Sequence, residues 1–165
     1  MQKPLEVQIA RAQELLKNAR HAAMATVNED GSPHNSPFLF MYDATLEHTY
    51  WGSHPDSEHS KNILRTGQLY VVLYEANARG GLYIEAKNGH TLEGDELENA
   101  LKIHNDIRAG LGLDPLTLEY YQGDSPQRMW SADITRLWVN SSQRGPDGRI
   151  IQDIRTEISA QALLQ

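Results

Sequence analysis

The densest run of chemistry-bearing side chains is Trp51-Gly52-Ser53-His54-Pro55-Asp56-Ser57-Glu58-His59-Ser60-Lys61. Pro55-Asp56-Ser57 opens a short helix with Ile63 and Leu64 as its apolar positions and Gly67 as its stop. A helix start presents amides without intrahelical partners, together with the positive end of the aligned peptide dipoles. Ser57 and Ser60 add hydroxyls and Lys61 adds a compact ammonium, so this run has the groups needed to hold a phosphate. The same residues also read as an ordinary helix capped by Asp56 or Ser57, and the carboxylates of Asp56 and Glu58 favour the helix while repelling a dianion. His54 and His59 lack the i, i+4 spacing of a helical ligand pair and have no third ligand nearby, so no metal is expected. His21, His34, His48, His90 and His104 are scattered, and His104 reads as an interface residue of its helix.

Familiar catalytic signatures are absent: no G-x-G-x-x-G, no G-x-x-x-x-G-K-[ST], no G-x-S-x-G and no H-E-x-x-H. The chain has no cysteine, which excludes a disulfide framework, a thiolate zinc site and a cysteine nucleophile. No general acid or base stands out. Phe38, Phe40 and Tyr42 fall on one side of an extended run, and Trp51 and Trp138 lie on others. Such planar side chains either pack a core or wall a flat heteroaromatic ligand.

The elements that must position these residues follow from periodicity. Leu5, Ile9, Ala12, Leu16 and Ala19, with Pro4 in the first turn, predict an amphipathic helix that ends near Arg20. His21 to Val27 and Pro33 to Tyr42 flank the turn cluster Asn28–Ser32 and predict a β-hairpin. His48 to Ser53 is a third strand, and Leu69 to Tyr74 reads as a strand buried on both faces. Arg79-Gly80-Gly81 turns the chain into a half-buried strand at Leu82, Ile84 and Ala86. Gly94 to Gly110 is a second amphipathic helix. Leu111 to Arg128 is polar with short helical pieces at most, Ile134 to Asn140 is a strand, and Pro146-Asp147-Gly148 leads into a last strand at Ile150 to Ile158. The tail is unassigned. About seven strands joined by hairpin-length turns favour an antiparallel barrel or sandwich of the α+β kind over a βαβ nucleotide fold.

The 165 residues fit one domain, 1–165, with an N-terminal helix in 1–20 and a helical insert in 93–128. The net charge of −7 disfavours nucleic acid. Most of it is local: Glu93 to Asp124 holds eight acidic residues and two basic ones, whereas the rest holds fourteen and thirteen. The proposed barrel is therefore near neutral and compatible with an anionic ligand. No apolar run approaches the roughly 20 residues that span a bilayer, and the opening residues lack a signal peptide's apolar stretch. A cytoplasmic location without membrane contact is expected.

Ala25-Thr26-Val27, Asp30-Gly31-Ser32-Pro33, Ser36-Pro37 and Tyr42-Asp43, in this order, resemble the opening of the pyridoxamine 5′-phosphate oxidase-related flavoproteins. Ser60-Lys61-Asn62-Ile63-Leu64 resembles that family's phosphate-binding turn and following helix. Gly123-Asp124-Ser125-Pro126-Gln127-Arg128 and Arg136-Leu137-Trp138-Val139-Asn140 continue the match, which runs from Arg20 to about Ile158. The resemblance implies a mainly β (α+β) fold, an antiparallel split β-barrel of about six to seven strands with flanking helices. It also implies a homodimer with FMN at the subunit interface. The cofactor-binding residues it implies are Asn35, Ser36, Pro37 and Phe38 against the ring system, Trp51 and Gly52 at the third-strand end, Ser60 and Lys61 at the phosphate, and Trp138 bordering the flavin from the partner chain. Arg149 is a further candidate cation.

Two departures are informative. Asn35 and Phe40 stand where the oxidases carry an arginine and a lysine that help hold FMN, and no counterpart of the pyridoxal-binding arginine/histidine motif follows Trp138. The expected function is an FMN-dependent oxidoreductase that takes a small-molecule substrate or electron donor and does not oxidise vitamin B6. The alternative is a flavin- or haem-binding or sensing protein without turnover. A deazaflavin-dependent reductase is disfavoured because no extra basic stripe is present to receive that longer anionic cofactor.

Overall fold

The computed structural model describes residues 5–75 and 80–165. Pro4 and Arg79, read above as part of a helix start and of a turn, lie outside them. The elements are α1 (Leu5–Asn18), β1 (His21–Val27), β2 (Pro33–Leu39), β3 (Met41–Tyr42), β4 (His48–Ser53), α2 (Glu58–Thr66), β5 (Leu69–Leu73), β6 (Leu82–Thr91), α3 (Gly94–Gly110), β7 (Arg128–Arg144), β8 (Ile150–Ile158) and α4 (Ala160–Leu163). A single 3-10 turn, Leu118–Tyr120, interrupts the polar stretch after α3.

All strand pairs are antiparallel, in the order β2-β1-β5-β6-β7-β4-β3, with β8 added to β7. The two ends of this order are consecutive in the chain. Pro33 to Tyr42, read from sequence as one strand, is broken at Phe40, whose amide bonds the Arg20 carbonyl at 2.9 Å. Its first part pairs with β1 and its last two residues pair with β4. One extended run thus serves both ends of the strand order, which curls the sheet into a split barrel.

The main core fills the barrel with Met24, Phe38, Phe40, Trp51, Ile63, Val71, Leu73, Leu82, Ile84 and Trp130 under α1. A second core joins Leu97, Ala100 and Leu101 of α3 to Met41, Leu92, Tyr121 and Met129. These two cores explain the length of β7, which begins at Arg128 rather than Ile134. Met129 faces the second core and Trp130 the first, so Met129 to Ala132 are all buried and the period-two signal disappears. β5 departs from expectation in the other direction. Leu69, Val71 and Leu73 are buried, but Tyr70 and Val72 are only half covered on the outer face. The tail forms α4, where the Ser159 hydroxyl accepts from the Ala162 amide. No helix among the described residues is long and apolar enough to cross a membrane.

Candidate functional site

α2 is pinned to the barrel from three sides. Asn62 donates to Thr26 Oγ1 at 3.1 Å and to Asn28 Oδ1 at 2.8 Å, which ties the helix to β1 and its hairpin turn. Arg65 donates to the Val27 carbonyl. Ile63 is fully buried and packs so closely on β6 that a Cβ at Gly89 would lie 2.2 Å from its Cγ2. Gly67 ends the helix at φ 66°, a left-handed conformation that glycine adopts without steric cost.

This anchoring aims the first turn of α2 at the ends of β2 and β4. Ser57 occupies the N-cap position, yet its hydroxyl caps no amide. It donates instead to Ser60 Oγ at 2.8 Å and meets Ser53 Oγ at 3.1 Å. Ser60 Oγ in turn reaches Ser53 Oγ at 3.4 Å. His59 closes the group: its Nε2 meets Ser53 Oγ at 2.7 Å and Ser57 Oγ at 3.2 Å, and its Nδ1 meets Ser36 Oγ at 3.2 Å. Beyond Ser36 the chain of contacts continues to His34 Nε2 at 2.9 Å. Burial pushes the His59 pKa down, and His34 pushes it the same way, so the neutral imidazole is favoured. Lys61 is exposed and makes no ion pair among the described residues. First-turn amides, hydroxyls with rotatable hydrogens and an ammonium are groups whose chemistry suits an anion.

The site residues read from sequence separate into distinct regions. Ser36 and Ser60 enter the cluster just described, with Lys61 at its margin. Phe38 and Trp51 lie in the main core, edge to face with centroids 6.3 Å apart, and Trp51 stacks on Trp130 at 6.1 Å. The Trp130 indole donates to the Ser53 carbonyl at 3.2 Å, whereas the buried Trp51 Nε1 has no acceptor among the described residues. Gly52 lies under Tyr121, where a Cβ would come within 2.7 Å of the hydroxyl.

Strand alternation sends Asn35 and Pro37 to the face opposite Ser36 and Phe38. The ladder places Asn35 in a row with Ala25, Tyr70, Glu85 and Arg136, and Pro37 in a row with Ala23, Val72, Tyr83, Trp138 and Glu157. Trp138 therefore belongs to the outer face of the sheet. There its ring lies 6.0 Å from that of Tyr70 and carries the Arg136 guanidinium at 4.6 Å. Arg149 is exposed and pairs with Asp147 at 3.4 Å, at the β7–β8 turn. Ser57, read from sequence as a phosphate hydroxyl, joins the cluster, whereas His34, Ser53 and His59 do not stand out in the sequence as contacts of an anion. The available signal was strand parity, because His34 must share a face with Ser36 and Ser53 must precede α2 by one turn of chain.

This barrel, with one extended run at both edges and a polar helix start at one end, defines the split β-barrel class. The chain belongs to the pyridoxamine 5′-phosphate oxidase family, whose sequence profile it matches over residues 9–141. No curated protein matches it in sequence. Among solved structures it resembles a haem-binding protein from Mycobacterium smegmatis, with a TM-score of 0.64 and 18% identity over 98% of this chain and 61% of that one, so it spans under two thirds of that protein. A protein from Clostridium acetobutylicum related to general stress protein 26 of B. subtilis, of the pyridoxinephosphate oxidase family, gives 0.62 and 15% over 93% and 96%. HupZ of Group A Streptococcus gives 0.57 and 18% over 79% and 91%.

Proposed function

We propose that this protein binds FMN with its phosphate at the start of α2, and that it works as a homodimeric oxidoreductase on a small organic substrate or electron donor. The observation that carries the reading is the serine cluster. Ser57 stands at a cap position without capping, its hydroxyl joins those of Ser53 and Ser60, and Lys61 next to them has no ion pair among the described residues. Those groups fit a phosphate. Asn35 and Pro37, exposed on the outer face of β2, offer a surface for a flat ring, and neither supplies a competing charge.

Bound flavin supplies the redox chemistry, while the protein binds, orients and excludes water. Ser57, Ser60 and Lys61 would hold the phosphate. Tyr70, Tyr83 and Trp138 form an aromatic outer face suited to a second copy of the chain. Cytoplasmic residence belongs to the same proposal.

The test is the visible spectrum of freshly purified protein, followed by FMN titration of any colourless fraction. A flavin spectrum, or saturable uptake of FMN, supports the reading. Refusal of FMN overturns it. A Soret band in place of flavin would reassign the barrel to haem.

A further inference from the structure

Resting on the reading that the start of α2 holds a phosphate, we propose that His59 is the second cation of that subsite, protonated when the phosphate dianion enters. Two carboxylates, Asp56 and Glu58, face a single ammonium, Lys61, between Ser53 and Lys61. Arg65, one turn further on, is engaged with the Val27 carbonyl. A dianion therefore meets too little positive charge unless another group supplies it. His59 bonds Ser53 and Ser57 at the helix start through one nitrogen and Ser36 through the other, whereas His34 reaches only Ser36.

The chemistry of those partners makes the charge change possible. A neutral imidazole needs a donor for one nitrogen and an acceptor for the other, whereas an imidazolium needs two acceptors. Each His59 partner is a serine hydroxyl, which serves as donor or acceptor by rotating its hydrogen. The ring can change charge without any heavy atom moving. His48 has a different kind of partner, with its Nδ1 2.7 Å from Asp43 Oδ2, a carboxylate oxygen rather than a rotatable hydroxyl.

The groups facing His59 set the resting state. His34, on β2, lies with its ring 6.5 Å away and is reached through Ser36. Ser53 brings no charge from β4, and Asp56 and Glu58 on the approach to α2 are exposed. Burial and His34 favour the neutral imidazole. A phosphate that accepts from the half-buried Ser57 hydroxyl stands beside His59 and reverses that balance. Binding then takes up a proton near neutral pH. Bound to Lys61 alone, FMN would do the reverse, since its phosphate has a second pKa of about 6 and loses its remaining proton on binding as a dianion.

Calorimetric titration with FMN at pH 7, in two buffers of different ionisation enthalpy, reads this proton count. Riboflavin, which lacks the phosphate, is titrated in parallel. The expected result is net proton uptake with FMN, none with riboflavin, and FMN affinity that falls several-fold from pH 6.5 to pH 8. His59→Gln should abolish the uptake and reverse the pH trend, while His34→Gln should preserve the uptake. If FMN binds with proton release or without any proton change, or if His59→Gln retains the uptake, the proposal is overturned while the FMN reading stands. If the wild-type chain binds neither flavin, the FMN reading falls and this inference falls with it. Should His59→Gln fail to fold, the contrast between FMN and riboflavin in the wild-type protein still decides.

Discussion

The start of α2 and the outer face of the sheet both carry cations, but they are built on opposite plans. On the outer face the cations already have partners. Arg136 bonds Glu157 at 2.7 Å and lies over Trp138, Arg155 lies 4.1 Å over Tyr83 and donates to Tyr70 Oη at 2.9 Å, and Lys87 meets Glu85 at 3.2 Å. At α2 the ammonium of Lys61 is free of ion pairs among the described residues, and the hydroxyls bond mainly to one another and to His59. Rotatable hydroxyl hydrogens can be re-aimed at a ligand, whereas rings and guanidinium groups packed face to face cannot. The turn is suited to an incoming charge, and the outer face to a flat surface that covers it.

The largest expected effect sharpens the boundary between site and scaffold. Trp51 is 1% exposed and sits between Phe38 and Trp130, behind the turn. Trp51→Ala should cost about 3–5 kcal/mol of stability, the range for large-to-small changes in a core. Trp51→Phe should cost much less, because it keeps a packed ring and removes a buried indole N–H that has no acceptor among the described residues. Urea denaturation measures both. If Trp51→Ala keeps wild-type stability and loses only flavin, then Trp51 belongs to the site and the boundary drawn here is wrong.

Next comes the free ammonium. Lys61→Ala should weaken FMN binding by roughly ten- to a hundred-fold, since a hydrogen bond to a charged group contributes about 1.5–3 kcal/mol. Riboflavin affinity and thermal stability should stay at wild-type values. Lys87→Ala on the outer face is the control and should leave both flavins unaffected. Equal losses for FMN and riboflavin would remove the phosphate from Lys61.

Smaller again is the expected effect at the outer face. If Tyr70, Tyr83 and Trp138 meet a second copy of the chain, Trp138→Ala should raise the dimer dissociation constant at least several-fold, as truncating an interface aromatic typically costs more than about 1 kcal/mol. Sedimentation across a dilution series measures it. A chain that is monomeric at every concentration, or a variant that dimerises like wild type, would leave this aromatic face without its proposed role.

Much of this was legible in the sequence because hairpin turns, glycine stops and helical periodicity are local signals. Gly67, Asn28–Ser32 and the span of α3, Gly94–Gly110, stand where the residues predict. The start of β7 was not legible, because two cores bury both its faces and erase alternation. The break at Phe40 was not legible either, since closing a barrel is a property of the whole sheet. For the site, Ser60 and Lys61 could be read from a helix-start pattern. Assigning Asn35 through Phe38 to one contact surface overlooked that neighbours on a strand point to opposite faces. The role of His59 is not legible locally, because its partners are three serines brought together from β2, β4 and the approach to α2.

The pH dependence of stability compares the buried His104 with the half-buried His59 and carries the smallest effect. Burial pushes His104 down from its ordinary value of 6.5, with Arg108 adding to the shift, and its Nδ1 lies 2.9 Å from Tyr121 Oη in the second core. His59 is lowered by burial and by His34. For a histidine whose folded pKa is depressed, the unfolded chain binds protons first as pH falls. Its contribution to stability is complete above about pH 6.5 and is lost as pH falls from there through the folded pKa. Urea midpoints should therefore decline between pH 7 and pH 5, above the range in which Asp30, Asp43 and Glu85 protonate. His104→Gln and His59→Gln should each flatten that decline, because glutamine keeps an acceptor without a titration. Saturating FMN separates the two sites. It should reverse the His59 contribution, since a protonated ring bound to phosphate has a raised pKa, and leave the His104 contribution unchanged. If FMN leaves the slope of the wild-type curve as it was, the two histidines are equivalent and the α2 turn has no special capacity to change charge.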